Sequence, residues 1–324
     1  MFQLRTDLAV EAREIYNEGK EKEVSGVEVE KEEDKDYIVT RIKILDESGQ
    51  QKLNKKIGSY ITIESPALKK ADQDLKDNIS KLLAKELKVM IEPMKHNKVL
   101  IVGLGNRNVT PDALGPKVVE KVLVTRHFFQ DYNKDQDESM ANVSAVSPGV
   151  MGLTGIETGE IIKGIIEKTN PDIVIAIDAL ASRNMKHISS TIQISNTGIS
   201  PGSGVGNKRK PINSEYLGVP VIAIGIPTVV DAATLINDTI GLIIGEMKNH
   251  TKEGQEFYSL LEDLSSRDKY NLIKEVLTPY MDNVMVTPKE VDDLINDLSQ
   301  VVSNGINISV HPGIDLKDVN RYLN

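Results

Sequence analysis

The sequence predicts an α/β protein whose mainly parallel sheet is sandwiched by helices, with an antiparallel β region ahead of it and helices behind it. Three observations support this prediction. The runs "KVLIVGLG" (98–105), "DIVIAIDAL" (172–180) and "VPVIAIGIP" (219–227) are continuously apolar, as strands covered on both faces are. Helical patterns separate those runs. Earlier segments instead alternate apolar and polar residues, the pattern of half-buried strands.

From the N-terminus, "VSGVEVE" (24–30) and "DYIVTRIKIL" (36–45) alternate clearly and "SYITIES" (59–65) more loosely, which predicts three strands. The charge run Glu28 to Asp36 reads as a solvated hairpin end between two of them. At Asp72 to Met90 the period changes, and Leu75, Ile79, Leu82, Leu83 and Leu87 form a helical stripe. After the strand 98–105, a helix is expected from Pro116 towards Phe129. The extended segment "NVSAVSPGV" then precedes a helix in "GIETGEIIKGIIEKT", where Thr154 and Glu157 have capping-box spacing. Asp231 is placed to start the helix "DAATLINDTIGLII". From about Lys248 the chain is polar and helical; Thr287 and Glu290 again have capping-box spacing, and Gly305 is the expected stop. These regions, 8–95, 96–247 and 248–324, have soft borders and are compatible with one compact domain.

Composition narrows the function. Of 324 residues, 40% are apolar and 27% charged, with a formal net charge of −9. That balance opposes a direct nucleic-acid binder, which needs a basic stripe. The absence of cysteine removes disulfides, thiolate metal sites and a cysteine nucleophile. The N-terminus lacks the apolar core of a signal peptide, and no run approaches the roughly 18 apolar residues that span a bilayer. A cytoplasmic protein with no membrane partner is expected.

Candidate chemistry centres on two aspartates. Asp112, in "VTPDALGP", follows a strand and the pair Gly103 and Gly105. The third glycine of a dinucleotide fingerprint would fall at Asn108, and the Lys-Ser/Thr pair of a phosphate loop is missing, so tight turning explains the glycines. Thr110-Pro111-Asp112 suits a helix start, but Pro116 would disrupt a helix begun there. On its own, Asp112 is open to capping and to catalysis. Asp178 ends an apolar run, at the carboxyl end of an expected parallel strand, where open α/β sheets place ligands. If the strands are neighbours, the two acids share one crevice, one pKa rises, and the pair can supply both a base and an acid. A salt bridge from Asp178 to Arg183 is the structural alternative. "SPGSGVGNKRKPI" (200–212) is a Gly-rich loop running into Lys208, Arg209 and Lys210; it suits an anion or a mobile surface loop. The five histidines show no metal spacing, which leaves open a distant metal site with the two acids. Gly198 to Gly202 lacks the strand–turn–helix context of a serine nucleophile.

"RTDLAVEA", "GLGNRNVTPDALGP", "VSPGVMGLTGIETGEI", "AIDALASR" and "SGVGNKRKPI" together closely resemble the germination proteases of spore-forming Firmicutes, through essentially the whole chain. The resemblance implies a fold related to the hydrogenase-maturation endopeptidases. It also implies an endopeptidase of the spore core that degrades small acid-soluble spore proteins, made as a zymogen and assembled as a homotetramer. The two functional aspartates would be Asp112 and Asp178, with no cofactor and no required metal. Substrates of that family are cut after an acid and before a hydrophobic residue. "TDLAVE" resembles such a site, with Asp7–Leu8 as the scissile bond and residues 1–7 as propeptide. Substrate acids then make Arg107, Arg183, Lys208, Arg209 and Lys210 candidate contacts. A metal-assisted variant using the same acids, and a non-catalytic peptide binder, are the rival functions.

Overall fold

Nine strands join in one sheet in the computed structural model, which describes residues 6–17, 24–92, 98–131, 139–202, 209–250, 272–273, 275–276 and 284–322. They are β1 (Val27–Glu33), β2 (Ile38–Ile44), β3 (Gly58–Glu64), β4 (Lys98–Gly103), β5 (Asn142–Val146), β6 (Ile173–Ser182), β7 (Thr191–Ser195), β8 (Val221–Asp231) and β9 (Met285–Val286). Their order is β1-β2-β3-β7-β8-β6-β4-β5, with the short β9 pairing to β8. The half made of β8, β6, β4 and β5 is parallel, and β8, β6 and β4 are the strands with continuous apolar runs. The β7, β3, β2 and β1 half is antiparallel, so the two expected regions form one continuous sheet.

The charge run is itself strand. Glu28 to Glu33 lie within β1, leaving only the turn around Asp34 to Tyr37 as hairpin end. A charged edge strand resists pairing with other chains, and pairing to β2 outweighs the polarity of its side chains. Arg41 of β2 gathers Glu30, Glu32 and the buried Glu86.

One face of the sheet carries the larger core. Ile61, Ile63, Ile175, Ile177, Ile192, Ile194, Ile222 and Ile224 meet Leu83 and Leu87 on it, together with Val301 and Val302. Two helices supply those last four residues: α3 (Gln73–Ile91), capped by Asp72 on the Leu75 N–H, and the long C-terminal helix Val291–Val310, here α10. Gly305 does not end α10 but lies inside it. A Cβ there would sit 2.7 Å from Leu83, so glycine serves close helix packing in place of a stop. Thr287 does not cap α10 either; its hydroxyl donates to the Thr228 carbonyl.

The opposite face is covered by α7 (Thr158–Thr169) and α8 (Ser214–Leu217) over Leu100, Val102, Val174 and Ala176. The helix α7 begins at Thr158 with no side-chain cap. The Thr154 hydroxyl instead donates to Ile156 O, closing the one-turn helix α6 (Met151–Thr154), so no capping box forms. Asp231 does cap its helix, α9 (Ala232–His250), through the Thr234 N–H. The expected helix from Pro116 towards Phe129 divides into α4 (Leu114–Val119) and α5 (Arg126–Asp131). Thr125 separates the two by bonding Ala141 O and Val143 N, so local ties to β5 interrupt the helical pattern. Two further helices carry no strong sequence signal: α1 (Ala9–Asn17), and α2 (Glu47–Leu53), which Asp46 caps.

Candidate active site

The crevice lies where the strand order reverses. From β4 the chain passes to β5 on one side and returns to β6 on the other, so loops diverge above the β4–β6 boundary, as at ligand sites of open α/β sheets. Asp112 comes from the loop after β4; Asp178 does not end its strand as expected but lies within β6, which stays paired to β8 as far as Ser182.

Tight glycine packing sets the Asp112 loop. Gly105 has φ +107, and a Cβ on it would lie 2.1 Å from Asp112 O, so only glycine lets the backbone turn this closely. Thr110–Asp112 forms a single 3-10 turn, and α4 starts afterwards at Leu114, with Pro116 in its first turn where proline is tolerated. Asp112 therefore caps nothing in α4; its Oδ2 accepts the Asn106 N–H at 2.7 Å. Burial raises its pKa and that hydrogen bond partly offsets the rise.

Asp178 is 6% exposed. It continues the face of β6 that carries Val174 and Ala176, and its Oδ1 accepts the Ala179 N–H at 2.9 Å. Burial holds its carboxyl well above the usual range; the charges of Asp112 and Asp7 push the same way. The two aspartates thus share one electrostatic site. Arg183 is not among the groups that shift Asp178, and its Nε is buried with no hydrogen-bond partner among the described residues, so the salt-bridge alternative is not formed.

The N-terminal segment docks beside this crevice, along the end of β6. The Asp7 N–H donates to Ala181 O at 3.4 Å, and the Ala181 N–H donates to Asp7 Oδ2 at 3.1 Å. Leu8 is fully buried with Val10 and Leu180. Burying a leucine contributes about 2 kcal/mol to docking. Glu11 is also buried: its carboxylate accepts the Arg183 and Asn184 N–H groups, each at 2.8 Å, and the Thr6 hydroxyl. Burial raises its pKa, and these three bonds oppose the rise. His187 lies 3.7 Å from Glu11 and 3.3 Å from Glu64, but burial pulls its pKa down to about 4, so it is neutral at pH 7.

The carbonyl of Asp7 receives two side-chain donors, Lys55 Nζ at 2.9 Å and Gln193 Nε2 at 3.0 Å. Gln193 Oε1 in turn accepts the Ala9 N–H at 2.6 Å. Burial lowers the pKa of Lys55, and the charges of Asp7 and Glu11 counter it. Neither residue stood out in the sequence. The one available signal for Gln193 was a polar residue inside "TIQIS", a strand otherwise ready for burial.

The remaining basic candidates have other partners. Arg107 pairs with Glu120, Arg209 Nη1 meets Met151 Sδ at 3.4 Å, and Lys210 pairs with Glu160 at 2.8 Å. Arg183 meets Glu11 through its backbone N–H. Lys208 lies outside the described residues. Among the described residues, no group of three or more His, Asp or Glu side chains is arranged to hold a metal ion, and no helix is long and apolar enough to cross a membrane.

Comparison with known proteins agrees across the chain. The sequence profile described as germination protease matches residues 6–262 and 246–323. The germination protease of Caldanaerobacter subterraneus subsp. tengcongensis is 52% identical over 320 residues, covering 99% of this chain and 98% of that one. The germination protease of Clostridium tetani is 50% identical over 99% of each chain. That of Bacillus cereus is 45% identical, over 99% of this chain and 97% of its own. Among solved structures, the [NiFe] hydrogenase maturation protease HycI from Thermococcus kodakarensis KOD1 is 21% identical, covers 44% of this chain and 80% of its own, and has a TM-score of 0.29. That likeness is too low to carry the fold assignment, which rests on the sheet itself.

Proposed function

The chain belongs to the germination protease family of peptidases, and from that premise we propose that it cuts small acid-soluble spore proteins through the Asp112–Asp178 pair. We further propose that it is made as a precursor that cuts itself between Asp7 and Leu8. The observation that carries both is the docked Asp7–Leu8 segment: an acid held beside Asp178, then a buried leucine, with the carbonyl of the intervening bond hydrogen-bonded by two donors.

The difference in burial supports a division of labour. In this reading the more deeply buried acid, Asp178, is given the proton, and Asp112 acts as the base. Asp112 takes a proton from water as the water oxygen bonds to the Asp7 carbonyl carbon. Asp178 gives its proton to the amide nitrogen as the C–N bond breaks. The products are a carboxyl at Asp7 and an amine at Leu8, and the pair keeps one proton, now on Asp112. A spore protein with the same pattern of acid, hydrophobe and later acid would meet the same groups once residues 6–11 leave them.

The test is digestion of an acid-soluble spore protein by the processed chain, with the fragments sequenced. Cuts between Glu or Asp and a hydrophobic residue are expected; an intact substrate would leave a peptide-binding protein in place of a peptidase. Family membership also supports a homotetramer working in the spore core. Light scattering should give four chains per particle, and a monomer would refute that assembly.

A further inference from the structure

Strand register places an amide opposite the buried acid. Asp178 of β6 is aligned with Gly225 of β8, Gly225 with Gln193 of β7, and Gln193 with Thr62 of β3. Residues aligned across a sheet project from the same face, so Asp178 and Gln193 stand on one side, two strand spacings or roughly 10 Å apart. Between them Gly225 has no side chain, and Leu180 leans over the gap: a Cβ on Gly225 would lie 2.4 Å from Leu180 Cδ1. The docked segment enters from above, with Leu8 against Leu180.

Gln193 straddles the bond. Its Nε2 donates to the carbonyl on the acid side of the bond and its Oε1 accepts the Ala9 N–H, one residue beyond the leucine. Lys55 Nζ donates to the same carbonyl and also to Thr6 O, at 3.0 Å. The Leu8 N–H itself donates to Thr6 Oγ1 at 3.1 Å. The carbonyl oxygen thus has two donors in place, and these are groups able to stabilise an oxyanion. The paired acids supply no such donors, because Asp112 accepts the proton of water and the proton of Asp178 goes to the amide nitrogen.

We propose that Gln193, together with Lys55, is the oxyanion-binding part of this peptidase, catalytic through direct contact with the scissile carbonyl. This rests on the endopeptidase function proposed above. As water adds to the carbonyl carbon, the C=O electron pair moves onto oxygen, and the Gln193 and Lys55 N–H groups take up that charge without reorganising. When the bond to nitrogen breaks, the pair returns to the carbonyl.

The test follows first-order self-cleavage of the full chain by intact mass, alongside hydrogen exchange at residues 8–12 as a measure of docking. Gln193→Met keeps the volume and removes the donor; cleavage is expected to slow by about 100-fold, with exchange protection largely kept through Glu11 and Leu8. Gln193→Glu keeps an acceptor for the Ala9 N–H, places negative charge against the carbonyl, and should slow cleavage further; it carries the test if the Met variant does not fold. Cleavage within threefold of wild type in a folded variant would overturn the proposal. So would a cleavage loss matched by an equal loss of protection, which would make Gln193 a docking residue only. Asp178→Asn run in parallel separates the two levels. If wild type cuts, Asp178→Asn does not, and the Gln193 variants cut normally, only the role of Gln193 fails. If wild type cuts nothing, the peptidase function fails and this inference with it.

Discussion

Replacing either Asp112 or Asp178 by asparagine should reduce cleavage at least about 10³-fold, the scale on which a positioned acid or base acts, without loss of fold. The stability change has a definite sign at Asp178. Its folded pKa lies above the unfolded value, so the folded state is favoured by protonation and loses ground as pH rises from the ordinary aspartate range towards the raised value. Each unit between the two values costs about 1.4 kcal/mol. Asp178→Asn removes that cost and preserves an oxygen for the Ala179 N–H. The variant should therefore melt above wild type at pH 7, with the gap closing towards pH about 4, where the unfolded carboxyl also holds its proton. Thermal melts across that range, beside a cleavage assay, check both halves. Substantial activity in a folded variant of either residue would end the paired-acid assignment.

Gly115→Ala should be severely damaging although the residue has no chemistry of its own. A Cβ at Gly115 would lie 2.3 Å from Leu104 O, 2.5 Å from Leu104 N and 2.7 Å from Ile177 O, all backbone. Gly103 meets Gly115 in the same way, with its own Cβ position 2.2 Å from Gly115 O. Backbone on both sides leaves no flexible side chain to yield, so the cost is at the upper end for overpacking, about 3 kcal/mol. Relief requires α4 to lift from β4 and β6, and the 3-10 turn carrying Asp112 lies immediately before α4. Urea unfolding should show the lost stability, and the folded fraction should cleave more slowly than wild type. Wild-type stability would show that α4 is not seated through these glycines.

Both acids were legible in the sequence because of where they interrupt a pattern. Asp178 is the acid that follows five apolar residues in a buried strand, although β6 continues past it to Ser182, and Pro116 displaces the regular helix beyond Asp112, which frees that side chain from capping. The strands β4, β6 and β8 were legible for the same reason. What was not legible depends on register or on contacts far along the chain. Gln193 matters because β7 and β8 align it with Gly225, and no local signal reports that alignment. Glu11 is received by backbone N–H groups of residues 183 and 184, which any side chains there would present. The pattern points to basic side chains for that task, but Arg107, Arg209 and Lys210 are occupied elsewhere, and Arg183 serves through its backbone N–H. Gly305 suggested a stop because glycine commonly ends helices; contact with Leu83 gives it another use.

The most direct measurement is the intact mass of the purified full chain over time, for wild type and Asp178→Asn at several protein concentrations. Because residues 6–11 dock on their own chain, wild type should lose residues 1–7 in a first-order step whose rate does not change with concentration, leaving Leu8 as the new N-terminus, while Asp178→Asn keeps its full mass. Release of the same fragment from Asp178→Asn, or a wild-type cut at another bond, would contradict the account.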